Sequence, residues 1–146
     1  MEEVKYESKI TKSTASIEAI YAILSDLSNI DRIKHLIPQD RIREIEATPD
    51  YVRFKVDGLG KKLYLRIVDR EPQKTIKFHV EDAPSDANMW IQMKQLEEHD
   101  TRLKLTIKTD MNIMLRKMLE KKLKEGLDKA ADMLAQLPFD EWAQNS

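Results

Sequence analysis

The sequence predicts an α+β fold: a seven-stranded antiparallel curved sheet around a long C-terminal helix, with two short helices between strands 1 and 2. Three observations predict it. The hydrophobic period is 2 at the start, 3.6 from about residue 13, 2 again from about residue 40, and 3.6 from residue 112 onward. The connections inside the long period-2 region are short turns, which join neighbouring strands into a meander. Strands run together and helices stand apart in sequence, which points to α+β rather than to a parallel α/β sheet.

Residues 3–11 alternate, with Val4, Tyr6, Ser8 and Ile10 on one face and Lys5, Glu7, Lys9 and Thr11 on the other. That pattern is a strand with one wet side. In "STASIEAIYAILSDLSNI", Ser13 or Thr14 is placed to cap a helix carrying Ile17, Ile20, Tyr21 and Leu24. Asp26 or Ser28 then starts a second short helix with Ile30 and Ile33, and Pro38 ends it. "RIREIEAT" is a strand in which Ile42 and Ile45 break alternation, the mark of a bulge. Four further strands follow, with Val52, Phe54 and Val56, then Leu63, Leu65 and Ile67, then Ile76, Phe78 and Val80, and finally Leu103, Leu105 and Ile107 inward. Between the last two lies "MWIQMKQLEE", apolar on both faces: Met89, Ile91 and Met93 on one, Trp90, Gln92 and Leu96 on the other. Its inward face is left open.

The last element is a helix over residues 112–137, about 39 Å long. Asp110 or Asn112 caps it, and Leu115, Met118, Leu119, Leu123, Leu127, Ala130, Leu134 and Leu137 form its apolar stripe. Gly126 inside it implies close approach to the sheet or the early helices. Residues 1–138 read as one domain and 139–146 as a short tail holding Phe139 and Trp142.

Composition excludes several classes. The chain of 146 residues has 25 basic and 26 acidic side chains, net −1, a poor match to a nucleic-acid binder that neutralises phosphates. There is no cysteine, hence no disulfide framework or thiolate chemistry. The longest apolar run, "AIYAIL", falls far short of the roughly 20 residues of a membrane span, and "MEEVKYESK" is no signal peptide. The expectation is a cytoplasmic protein without an integral membrane segment, a monomer or weak dimer. The Lys-rich run "MLRKMLEKKLKEGL" has acids interspersed and must face the sheet, which argues against a membrane-surface helix.

The element order, with "ESKITKSTASIEAIYAILSDLSNIDRI" at the start and "LKEGLDKAADMLAQL" at the end, resembles the START-like or SRPBCC superfamily, which includes birch-pollen-allergen-type and polyketide cyclase/dehydrase-type proteins. The resemblance covers roughly residues 3–137. It implies a helix-grip fold with a cavity between helix and sheet that holds lipids, polyketides or other apolar ligands. It also implies two alternatives, a polyketide-cyclase-like enzyme and a chaperone-activator-like protein-interaction domain with a collapsed cavity.

The candidate pocket residues are Tyr6, Ser8, Tyr21, Phe54, Phe78, Trp90, Gln92, Met111, Met114 and Met118. The three helix-start methionines read either as an adaptable pocket wall or as gap-filling core, because methionine fits irregular shapes. Ser8 and Gln92 can orient a polar ligand end, or can bond a neighbour. Among the three histidines His35 lies near the expected cavity mouth and is the one candidate general acid or base, with a plain surface position as the alternative. There is no HExxH, no GxSxG elbow and no phosphate-binding glycine loop, so neither metal nor cofactor is expected.

Overall fold

The computed structural model describes residues 2–37, 40–57, 60–83 and 85–145. The chain runs β1 (Glu2–Glu7), β2 (Thr11–Ser13), α1 (Ile17–Leu24), two 3-10 turns (Leu27–Arg32 and Lys34–Leu36), β3 (Ile42–Ala47), β4 (Tyr51–Val56), β5 (Lys62–Glu71), β6 (Thr75–Glu81), β7 (Ala87–Glu97), β8 (Asp100–Met111), α2 (Ile113–Ala135) and α3 (Phe139–Gln144). One antiparallel sheet has the order β1-β8-β7-β6-β5-β4-β3, with β2 also paired to β8. The expected first strand is thus two strands, giving eight in place of seven. It breaks at Ser8, whose hydroxyl donates to the Lys9 carbonyl (2.8 Å) and accepts from the Leu105 N–H (2.9 Å).

Register lines the inward side chains into rows across the sheet. Val52, Leu65, Val80, Ala87, Thr109 and Val4 form one row; Ile67, Phe78, Met89, Ile107 and Tyr6 form the next. Ile76, Ile91 and Leu105 follow. The expected bulge in β3 lies between Arg43 and Glu46, with Glu44 at φ 54°. The Pro38 stop lies outside the described residues.

Ser16, not Ser13 or Thr14, caps α1: its hydroxyl accepts from the Ala19 N–H (3.2 Å) and donates to Asp140 Oδ1 (2.9 Å). Ser13 is instead buried and accepts from the Ala15 N–H. Ser16→Ala is expected to lower stability by about 1 kcal/mol, read from the urea midpoint.

Asn112 caps α2, accepting from the Leu115 N–H (2.9 Å). The C-terminal half of α2 is tied to the sheet. Leu127, Ala131 and Leu134 are buried, the Thr11 hydroxyl donates to the Ala131 carbonyl (3.1 Å), and the Lys9 N–H donates to Asp128 (2.7 Å). Gly126 corrects an expectation: it is exposed, and a Cβ there would meet nothing within 4 Å. Gly126→Ala should therefore stabilise the protein by about 1 kcal/mol, seen as a higher Tm.

The expected tail is a helix. Phe139 is 0 % exposed and sits in the core cluster with α1, its ring edge-on to Trp142 at 6.1 Å. Asp140 accepts from both the Ser16 N–H (3.1 Å) and its hydroxyl.

Candidate ligand-binding site

The inward face of the sheet is apolar throughout but is not evenly covered. Ile76, Phe78, Ile91, Leu103 and Leu105 are buried. Phe54, Leu65, Val80, Met89 and Ile107, on rows toward the start of α2, keep partial exposure. Leu115 and Leu123 of α2 are half-buried against the same core. The result is an apolar, partly exposed sheet face, while α2 itself packs chiefly on β8, β2 and β1.

Buried polar groups are almost all spent. Among the described residues, the buried polar side chains besides Tyr6 are the hydroxyls of Ser8, Thr11, Ser13, Thr101, Thr106 and Thr109; no charged side chain or histidine is buried. The Thr101 hydroxyl donates to the Ala15 carbonyl (2.9 Å), and that of Thr109 to the Asp86 carbonyl (2.8 Å). Tyr6 differs. It is 2 % exposed, lies beside Ile107 on the inward face, and its hydroxyl has no hydrogen-bond partner among the described residues. A buried group left unpaired costs about 1–3 kcal/mol.

Four expected pocket residues lie elsewhere. β7 turns Met89, Ile91 and Met93 inward, so Trp90 and Gln92 are on the outer face. There Trp90 lies between Lys77 and Lys108, whose ammonium groups are 5.3 and 5.6 Å from its ring centre. Gln92 accepts from the Thr106 hydroxyl (2.9 Å). Met114 and Met118 are 73 % and 64 % exposed. At 3.6 residues per turn they lie roughly 140° and 180° around the helix from the buried Leu127. The residues within about 20° of Leu127 on that half are Arg116 and Glu120, an ion pair at 3.9 Å. Met111, in contrast, is buried at the end of β8.

Of the remaining candidates, Ser8 is buried with its hydroxyl used by backbone, Phe78 is buried in the core, and Tyr21 is half-buried against it. His35 is exposed on the second 3-10 turn, in an open groove with Arg32, Asp132, Gln136 and Trp142. That groove adjoins an apolar hollow of 90 Å³ lined by Leu27, Ile30, Ile33, Leu134, Phe139 and Trp142, which sequence reasoning missed. Its signal was the pair of aromatics in the tail. The shifted carboxyls are on the surface: Arg102 holds Asp100, and Lys104 holds Glu7, below the usual carboxylate range. Their contribution is present at neutral pH and fades as pH falls through those lowered values.

No family model and no curated protein matches the sequence. Solved structures do match in shape. A norcoclaurine synthase from Thalictrum flavum, in complex with dopamine and hydroxybenzaldehyde, is similar at TM-score 0.74 and 12 % identity, over 94 % of this chain and 87 % of that one. A START superfamily protein from Mycobacterium smegmatis is similar at TM-score 0.57 and 15 % identity, over 90 % and 98 %. A solution NMR structure from Thermobifida fusca is similar at TM-score 0.61 and 14 % identity, over 84 % of each chain. The fold is START-like. The helix-grip architecture implied by the opening and closing segments is present, with the long helix held by its second half. No helix among the described residues is long and apolar enough to cross a membrane.

Proposed function

We propose that this chain binds a small, largely apolar ligand with one polar end, between the concave sheet and α2, without performing chemistry on it. The observation that carries the reading is the partly exposed inward wall of Phe54, Leu65, Val80, Met89 and Ile107 in a fold whose sheet otherwise buries its inner face. Covering about 300 Å² of apolar surface there gives about 7 kcal/mol before association costs. We assign the ligand's polar end to Tyr6, whose enclosed hydroxyl has no partner among the described residues and is uncovered only when a ligand enters, since the other buried hydroxyls are engaged. The lack of a buried acid, lysine or histidine among the described residues favours holding over catalysis. A norcoclaurine synthase of the same fold is in complex with dopamine and hydroxybenzaldehyde, which supports a ligand-binding reading of the fold.

The test is titration with medium-chain alcohols, followed by native mass spectrometry. Met89→Trp fills the wall and is expected to weaken binding about tenfold, a change of about 1.4 kcal/mol. Met114→Trp, on the outward side of α2, should leave it unchanged. Equal binding by wild type and Met89→Trp refutes the site.

A further inference from the structure

We infer that the N-terminal half of α2 is a docking surface for an anionic lipid bilayer. The inference does not rest on the ligand reading. Ile113, Met114 and Met118 are 74 %, 73 % and 64 % exposed, a concentration of bare apolar side chains within six residues. Elsewhere the large exposed apolar side chains are Leu36 and Val68, standing apart, and Ile10 and Leu96, which share one groove. Lys117, Lys121 and Lys122 flank the two methionines, are exposed, and have no ion pair among the described residues.

The interspersed acids of the sequence are sorted by the helix. Glu120 is turned toward the sheet side and paired with Arg116. Glu125 lies on the methionine side, but two turns beyond Met118, and Asp128 and Asp132 are engaged with Lys9. Residues 113–124 therefore hold five bases against one acid in a chain of net charge −1. Met114 and Met118, on one side of the helix and flanked by lysines, with Ile113 at the helix start about 100° round from Met114, suit the boundary between acyl chains and anionic headgroups. Unbranched methionines adapt to a fluid surface.

A second copy of the chain fits poorly. A two-fold contact would set Lys117, Lys121 and Lys122 against their own copies. The apolar groove beside Ile10 and Leu96 is itself edged by Lys94, Arg102 and Lys104, so it repels the same patch. The patch is also convex, which suits a broad surface rather than a cleft.

Co-sedimentation with vesicles tests this. Vesicles of phosphatidylcholine with one-third phosphatidylglycerol are expected to bind wild type at least about tenfold more tightly than phosphatidylcholine alone, and the preference should fall in high salt. Met114→Ser with Met118→Ser should weaken binding about tenfold while keeping the charge. Lys117→Gln with Lys121→Gln should remove the preference for anionic lipid. Val68→Ser, at an exposed residue elsewhere, should change nothing. All these positions are exposed, so melting curves should overlay and exclude misfolding. Absence of binding, equal binding to both vesicles, or wild-type binding by the double methionine variant overturns the inference. So does a concentration-dependent dimer, by sedimentation equilibrium, that Met118→Ser dissolves while vesicles stay unbound.

Discussion

Phe139→Ala is expected to destabilise the protein by about 3–5 kcal/mol, a large part of the roughly 5–15 kcal/mol that holds a domain of this kind together. The side chain is fully buried, so its removal forfeits the transfer of an aromatic ring out of water. It also borders the 90 Å³ hollow under Trp142, so the space it vacates joins one already present. Cavity cost grows with the volume that neighbours fail to refill. The backbone there is held independently by Asp140 on the cap of α1, so α3 cannot slide inward to close the gap. Urea unfolding measures the effect: the midpoint should drop with the slope unchanged. Asp140→Ala, which frees α3 but keeps the ring, should cost less. A loss under about 1 kcal/mol for Phe139→Ala would mean that α3 undocks at little expense and that residues 139–146 behave as a tail after all.

That residue also shows where sequence reading stops. Periodicity located the strands because alternation over five or more residues admits one interpretation. It placed the inward sets Val52–Phe54–Val56, Leu63–Leu65–Ile67 and Ile76–Phe78–Val80 on the face the structure uses. It anticipated the β3 bulge from Ile42 and Ile45. It was silent on β7, where both faces are apolar and only pairing with β6 and β8 decides. A "PFDEW" segment beyond a proline carries too few residues for a period, so α3 and its docking were illegible. The methionines of α2 mark a different limit. Spacing of three and four says that Met114 and Met118 share a side, not which side. Counting back from Leu127 gives the phase: nine residues are two and a half turns, which sets Met118 opposite the buried stripe. The breadth of the apolar stripe hid this, since leucines at 115, 119 and 123 carry it gradually round the helix. The candidate site was legible only in part for the same reason. Tyr6 and Phe54 could be placed by strand alternation, whereas Trp90 and Gln92 needed register, Met111 ends β8 where a helix-start residue was expected, and His35 needed the helical layer.

Tyr6→Phe is expected to act with opposite signs on stability and on binding. Removing a tyrosine hydroxyl usually costs stability because a hydrogen bond goes with it. Here the hydroxyl is enclosed without a partner among the described residues, so the ligand-free protein should gain about 1–2 kcal/mol on losing it. Thr101→Val provides the contrast: its hydroxyl bonds the Ala15 carbonyl in an equally buried place, so that variant should lose stability. Binding should move the other way. In the wild type an apolar molecule with a terminal hydroxyl meets Tyr6 and relieves the unpaired group, whereas an alkane of equal length leaves it unpaired. The wild type should therefore prefer the alcohol by about tenfold, and Tyr6→Phe should erase the preference by weakening the alcohol alone. Stability alone cannot distinguish a ligand-facing hydroxyl from a packing fault, since both predict a gain. The alcohol-to-alkane ratio can, because only a hydroxyl that reaches the bound molecule changes it. Destabilisation by Tyr6→Phe would show that the hydroxyl has a partner in solution. A ratio unchanged between wild type and variant would remove Tyr6 from the site while leaving the apolar wall in place.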